Sequence, residues 1–188
     1  MIEGQISDWQ IERLKEIAAL VKGIPGIIIE IGCWKGKSTA ALANVVHPEN
    51  LHAVDTWMGN IDEGKVTGRI HPTVKEAQKI DIFKIFQENM AAHTEGNVVP
   101  HKQDCFEYLS ALEDDVKFCH IDASHDYVSV KRTLEMLLPK MVEGGILCGD
   151  DFQSANIRRK DLEGGVEKAV RECLPGFRSK RNYWWWKK

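Results

Sequence analysis

The chain reads as an α/β protein with a mostly parallel, seven-stranded sheet covered by helices on both faces. Short apolar runs alternate with segments of helical periodicity along its whole length, the pattern of strand–helix–strand units. The first clear run, Ile27-Ile28-Ile29-Glu30-Ile31, is β-branched and lacks polar alternation, as expected of a strand buried on both faces. The last segment, Phe177 to Lys187, reads instead as a hairpin of two strands and supplies an antiparallel end to the sheet.

Apolar residues at Trp9, Leu14, Ile17, Ala18 and Val21 predict a helix over Ile6 to Val21, stopped by Gly23, Pro25 and Gly26. After the Ile27–Ile31 strand, Gly32 to Lys37 form a turn, and the alanine-rich Ser38 to Val46 is helical. Leu51 to Asp55 is a second strand, and Gly59 to Pro72 a long polar loop fit to act as a lid. The spacing of Ala77, Ile80, Phe83 and Phe86 predicts one helix from Thr73 to His93. Asn97 to His101 is a third strand, Phe106 to Leu112 a short helix and Val116 to Asp122 a fourth strand. Tyr127, Val130, Leu134, Leu137 and Met141 mark a further helix, closed by Gly144-Gly145. Ile146 to Gly149 is the fifth strand, and Gly165 to Cys173 the last helix.

With 188 residues, the chain is long enough for one domain spanning 1–188 and too short for two ordinary ones. Its 43% hydrophobic and 28% charged residues are normal for a globular protein. A net charge of −3 argues against a non-specific nucleic-acid binder. The five cysteines are widely spaced with no C-x-x-C, which reads as reduced thiols of a cytoplasmic protein. Met1 to Gln10 carries no basic region followed by an apolar run, so no signal peptide is expected. No stretch approaches the length of a membrane span. The oligomeric state is left open, a homo-oligomer included.

In sheets of this kind ligands sit beyond the carboxyl ends of the strands. The turn Glu30-Ile31-Gly32-Cys33-Trp34-Lys35-Gly36-Lys37-Ser38 lies there, where glycines admit a close ligand and a helix start favours an anion. A dinucleotide fingerprint fails, because Cys33-Trp34-Lys35 fill the gap between the glycines. A P-loop nucleotide hydrolase has the attractive Gly36-Lys37-Ser38, but its loop would be one residue short. A smaller anion, the amino-acid carboxylate of S-adenosylmethionine, needs less cradle. Glu30 would then hold the ammonium of the same moiety, which accounts for an acid in an apolar strand. Asp55, closing the second strand, is placed for ribose hydroxyls. Asp104 is placed for an adenine amino group, and Trp57 either for a ring face or for the core.

The runs IIEIGCWKGKSTAALA, LHAVDTW, KFCHIDASHDYVSV and GGILCGDDF together resemble the Rossmann-like class I S-adenosylmethionine-dependent methyltransferases. They are most similar to the small-molecule and sugar O-methyltransferases of the macrocin type and, more distantly, to catechol O-methyltransferase. The resemblance implies S-adenosylmethionine as cofactor, with Cys33, Thr56 and Asp122 joining Glu30, Gly32, Gly36, Ser38, Asp55, Trp57 and Asp104 around it. It also implies that the 59–72 segment covers the active site and selects the acceptor.

Asp122, Asp150 and Asp151 follow the fourth and fifth strands. Two carboxylates about 4 Å apart repel by roughly 4 kcal/mol at an effective dielectric near 20, so a proton or a cation is expected between them. Oxygen ligands suit Mg²⁺, and the resembling metal-dependent enzymes hold that ion at the matching positions. His125, three residues after Asp122, is the candidate base, with Asp122 beside it in the catalytic set. The expected reaction is methyl transfer to a hydroxylated small molecule, a sugar or glycosylated metabolite. The tail from Arg178 to Lys188 interleaves basic and aromatic residues, which keeps an RNA methyltransferase as an alternative.

Overall fold

The computed structural model describes residues 2–61, 64–65, 68–152 and 165–188. The strands are β1 (Ile27–Ile31), β2 (Leu51–Asp55), β3 (Val98–Lys102), β4 (Val116–Ile121), β5 (Met141–Gly149), β6 (Arg178–Lys180) and β7 (Tyr183–Lys187). They form one sheet in the order β3-β2-β1-β4-β5-β7-β6. β1 to β5 are parallel, and β7 runs antiparallel to β5 and to β6. The strand order reverses between β1 and β4, which opens a crevice at their carboxyl ends.

The helices among the described residues are α1 (Asp8–Ala18), α2 (Lys37–Val46), α3 (Pro72–Ala77), α4 (Ile82–His93), α5 (Cys105–Ala111), α6 (Tyr127–Leu137) and α7 (Gly165–Cys173). Ile29, Ile31, Cys119 and Leu147 point to one face and pack with Leu109 of α5, Leu134 of α6 and Val170 of α7. Ile28, Phe118 and Ile146 point to the other and pack with Leu14 of α1 and Leu42 of α2. Every residue of β4 is buried, which is why its sequence shows no polar alternation.

Three boundaries differ from the sequence reading. The expected Thr73–His93 helix is broken into α3 and α4, because the Asp81 carboxylate accepts from the Lys84 N–H and starts a new helix. Gly144-Gly145 lies inside β5 rather than closing a helix. The Gly144 N–H donates to the Lys188 carbonyl and the Gly145 carbonyl accepts from Lys188, so the pair serves the sheet. In the 59–72 segment, expected to be loop throughout, Ile61, Gly64 and Lys65 are helical, and residues 62, 63, 66 and 67 lie outside the described residues.

All five cysteines are free thiols. Among the described residues no helix is long and apolar enough to cross a membrane.

Candidate active site

A cavity of about 360 Å³ opens at the carboxyl edge of β1, β2 and β4, within the size range of small-molecule sites. Its wall begins at the turn after β1. Gly32 and Gly36 both have positive φ, +87° and +89°, a region that L side chains rarely adopt. A β-carbon on Gly36 would lie 2.4 Å from Met90 Cε, so this glycine lets α4 close on the turn from behind and does not face the cavity. Gly36 caps α2 with no side-chain bond, which leaves N–H groups of the first turn unsatisfied. Ser38, on that turn, lines the cavity. A helix start of this kind favours an anion.

Asp55 organises the turn. Its Oδ2 accepts from the Cys33 and Trp34 N–H groups, 2.8 Å each, and its Oδ1 from the Trp57 N–H at 2.6 Å. Burial pushes the carboxyl up from its ordinary value, while these three backbone bonds pull the other way. Trp34 and Trp57 hold left-handed backbones, φ 47° and 54°. For bulky residues that is strain stored where a surrounding network fixes it.

Of the positions expected to meet the cofactor, Gly32, Cys33, Ser38, Asp55, Thr56, Asp104 and Asp122 line the cavity. Glu30, Gly36 and Trp57 do not. Glu30 is fully buried and sits 3.0 Å from His120 Nδ1, its neighbour across β1 and β4. Burial lowers the His120 value, but the Glu30 bond and charge outweigh it and raise it. Trp57 packs against Phe83 and Phe86 at 4.5 and 4.8 Å and donates to the Trp34 carbonyl. The core claims it. Asp104 caps α5 through Oδ1, accepting from Phe106 and Glu107.

The sequence reading missed the N-terminal segment. Glu3, Gly4, Gln5 and Ile6 form part of the wall, held by the Lys37 ammonium on the Ile6 carbonyl at 2.8 Å. A P-loop lysine would reach into the cradle; this one ties down a strap. Lys35, 8% exposed, meets Glu3 of that strap and Glu76 of α3, each at 2.7 Å. Asn60 and His71, inside the 59–72 segment expected to cover the site, and Thr73 just beyond it also line the cavity. Asn60 Oδ1 accepts from Ser124 at 3.1 Å, and the His71 side chain caps α3. The His71-Pro72 pair marks this helix start in the sequence, because proline favours the first position of a helix.

On the far side of the cavity, His125 Nε2 lies 3.6 Å from Asp122 Oδ1 and 3.1 Å from Asp151 Oδ2. Burial raises the Asp122 carboxyl, but the His125 bond and charge, with the charge of His120, hold it below its ordinary value. Asp150 faces inward, and Gln10 donates to its Oδ2. Burial first, then the charges of Asp122 and Asp151, push it up to about 7.

A family described as a methyltransferase domain matches residues 29–152. The chain belongs to this methyltransferase family. The methyltransferase is 19% identical to the calicheamicin methyltransferase CalS11, with 95% of this chain and 78% of that one covered at a TM-score of 0.69. TomG from Streptomyces achromogenes, an O-methyltransferase of tomaymycin synthesis solved with S-adenosylmethionine, is 16% identical, covering 98% and 82% at 0.68. An RNA methyltransferase from Salinibacter ruber, solved with S-adenosylhomocysteine, is 12% identical, covering 98% and 93% at 0.60. These likenesses confirm the Rossmann-like fold. No curated protein sequence matches the methyltransferase significantly.

The Mg²⁺ expectation meets a different arrangement. Among the described residues no three His, Cys, Asp or Glu side chains converge as ligands of one ion. Asp122 and Asp151 turn to the His125 imidazole, and one Asp150 oxygen takes the Gln10 amide. As arranged, this donor set does not fit an octahedral oxygen-bound ion. In the tail, Tyr183 and Trp184 are buried, and Trp185 carries the Arg13 guanidinium 4.2 Å above its ring.

Proposed function

We propose that the methyltransferase moves the sulfonium methyl of S-adenosylmethionine to a hydroxyl of a small molecule, with His125 as the base. One observation carries this reading. The same cavity has an anion seat at α2 and Ser38 at one end and the His125 group at the other. The seat suits the carboxylate of the methionine moiety, while Asp104 and the remaining lone pair of Asp55 Oδ1 suit the adenosine.

A sulfonium methyl is already activated, so the protein must align the acceptor oxygen and take its proton. Two carboxylates lie beside His125 Nε2, at 3.6 and 3.1 Å, and an imidazole changes its charge near neutral pH. The carboxylates of Asp122 and Asp151 then stabilise the imidazolium formed on proton transfer.

The acceptor class we favour is a sugar or glycosylated metabolite. CalS11 is a TDP-rhamnose 3'-O-methyltransferase, and Asn60, Ser124, His71 and Thr73 supply polar groups on the acceptor side here. Calorimetry with S-adenosylhomocysteine, followed by labelled-methyl transfer to a panel of glycosides and phenols, tests the reading. Binding of ATP without binding of S-adenosylhomocysteine would overturn it.

A further inference from the structure

Three glycines pack against the backbone of the segment Ile121 to His125. A β-carbon on Gly32 would lie 2.0 Å from the Asp122 carbonyl oxygen, one on Gly149 2.4 Å from that of Ile121, and one on Gly165 1.8 Å from that of His125. Gly32 needs its identity for its positive φ as well, and Gly149 also lies under the Trp184 ring. Gly165 differs from both. Its φ is not in the left-handed region, and the three atoms nearest to its β-carbon would all belong to His125 or Asp126. The backbone conformation would accept alanine, and only the contact forbids it.

We infer that Gly165 is a positioning residue for His125. Gly165 opens α7, whose Val166, Ala169 and Val170 are buried in the core. That packing sets the helix start against the His125 carbonyl, with no room for a β-carbon between them. The neighbouring Asp126 carboxylate caps α6 by accepting from the Ser129 N–H at 2.9 Å, so His125 is held between two helix starts. An added methyl must push the His125 backbone away and change its 3.1 Å approach to Asp151. The inference rests on the proposed role of His125.

A double-mutant cycle tests it. Gly165→Ala is expected to lower kcat by about ten- to a hundredfold, the usual effect of a misplacement near 1 Å. Affinity for S-adenosylhomocysteine, measured by calorimetry, should stay within about threefold, because a positioning effect on the base spares cofactor binding. In a His125→Ala background the same change should cost less than about twofold, since neighbours acting through one group are not additive. Equal losses of kcat in both backgrounds, or a parallel loss of cofactor affinity, would show a merely structural glycine and overturn the inference. If His125→Ala alone leaves kcat intact, the assignment of the base fails and takes this inference with it. Should Gly165→Ala not fold, Val166→Ala loosens the same helix without adding atoms and takes its place in the cycle.

Discussion

The Asp55 carboxylate holds the Trp34 N–H at 2.8 Å, joining the end of β2 to the strained turn after β1. With Cys33 and Trp57 it makes three such bonds from one side chain. Asp55→Asn replaces an acceptor with a donor that faces N–H groups. It is expected to lower stability by about 2–3 kcal/mol and affinity for S-adenosylhomocysteine by at least about tenfold, since the turn that forms the anion seat is released. Thermal unfolding and calorimetry read the two losses. Unchanged affinity in a folded variant would remove Asp55 from the cofactor site.

Gly36→Ala should destabilise by about 1–3 kcal/mol, from overpacking against Met90 and from its positive φ. Adding Met90→Ala should return the part due to the clash and not the part due to φ. Denaturant unfolding of the two variants gives the difference, and no recovery would mean that α4 does not press on the turn.

Burial and two neighbouring charges push Asp150 up to about 7, while the unfolded chain releases this proton near 3.9. Between those values the fold keeps a proton that the unfolded chain has lost. Its contribution to stability is therefore full at acid pH and lost as pH rises through about 7. In chelator-treated protein, Asp150→Asn should leave Tm nearly unchanged at pH 4 and raise it by about 3–8 °C at pH 8. Equal shifts at both pH values would contradict this linkage.

His120 has the opposite history and the same sign. Its value is raised by buried Glu30, so its stabilisation is full below the unfolded value near 6.5 and fades as pH rises through the folded value. Glu30→Gln should cost about 3–5 kcal/mol near pH 6, because it breaks a buried pair from one side. Glu30→Gln combined with His120→Gln should be less damaging, as read by urea unfolding.

Chelation bears on the metal. Because Asp122 and Asp151 face His125 rather than a shared ion position, EDTA is expected to leave most of the turnover in place. Loss of turnover with full recovery in Mg²⁺ would show that the carboxylates regroup when substrates bind.

The strands were legible because burial on two faces writes itself as uninterrupted Ile and Val, and β1 and β2 end where the sequence places them. The glycine turn and Asp55 were legible because such turns demand particular residues. The His120 partner of Glu30 was not, since an acid in an apolar strand does not show which distant strand it will face. Nor could periodicity find the break at Asp81, which interrupts helical spacing without changing it. Glu3 to Ile6 reach the cavity only through tertiary ties to Lys35 and Lys37, and no local pattern marks them.

Lys35 gives Glu3 and Glu76 a single common anchor. The N-terminal segment in the cavity wall and the helix α3 therefore hang from one charge. With two carboxylates on one ammonium, either contact alone supplies a full counter-charge.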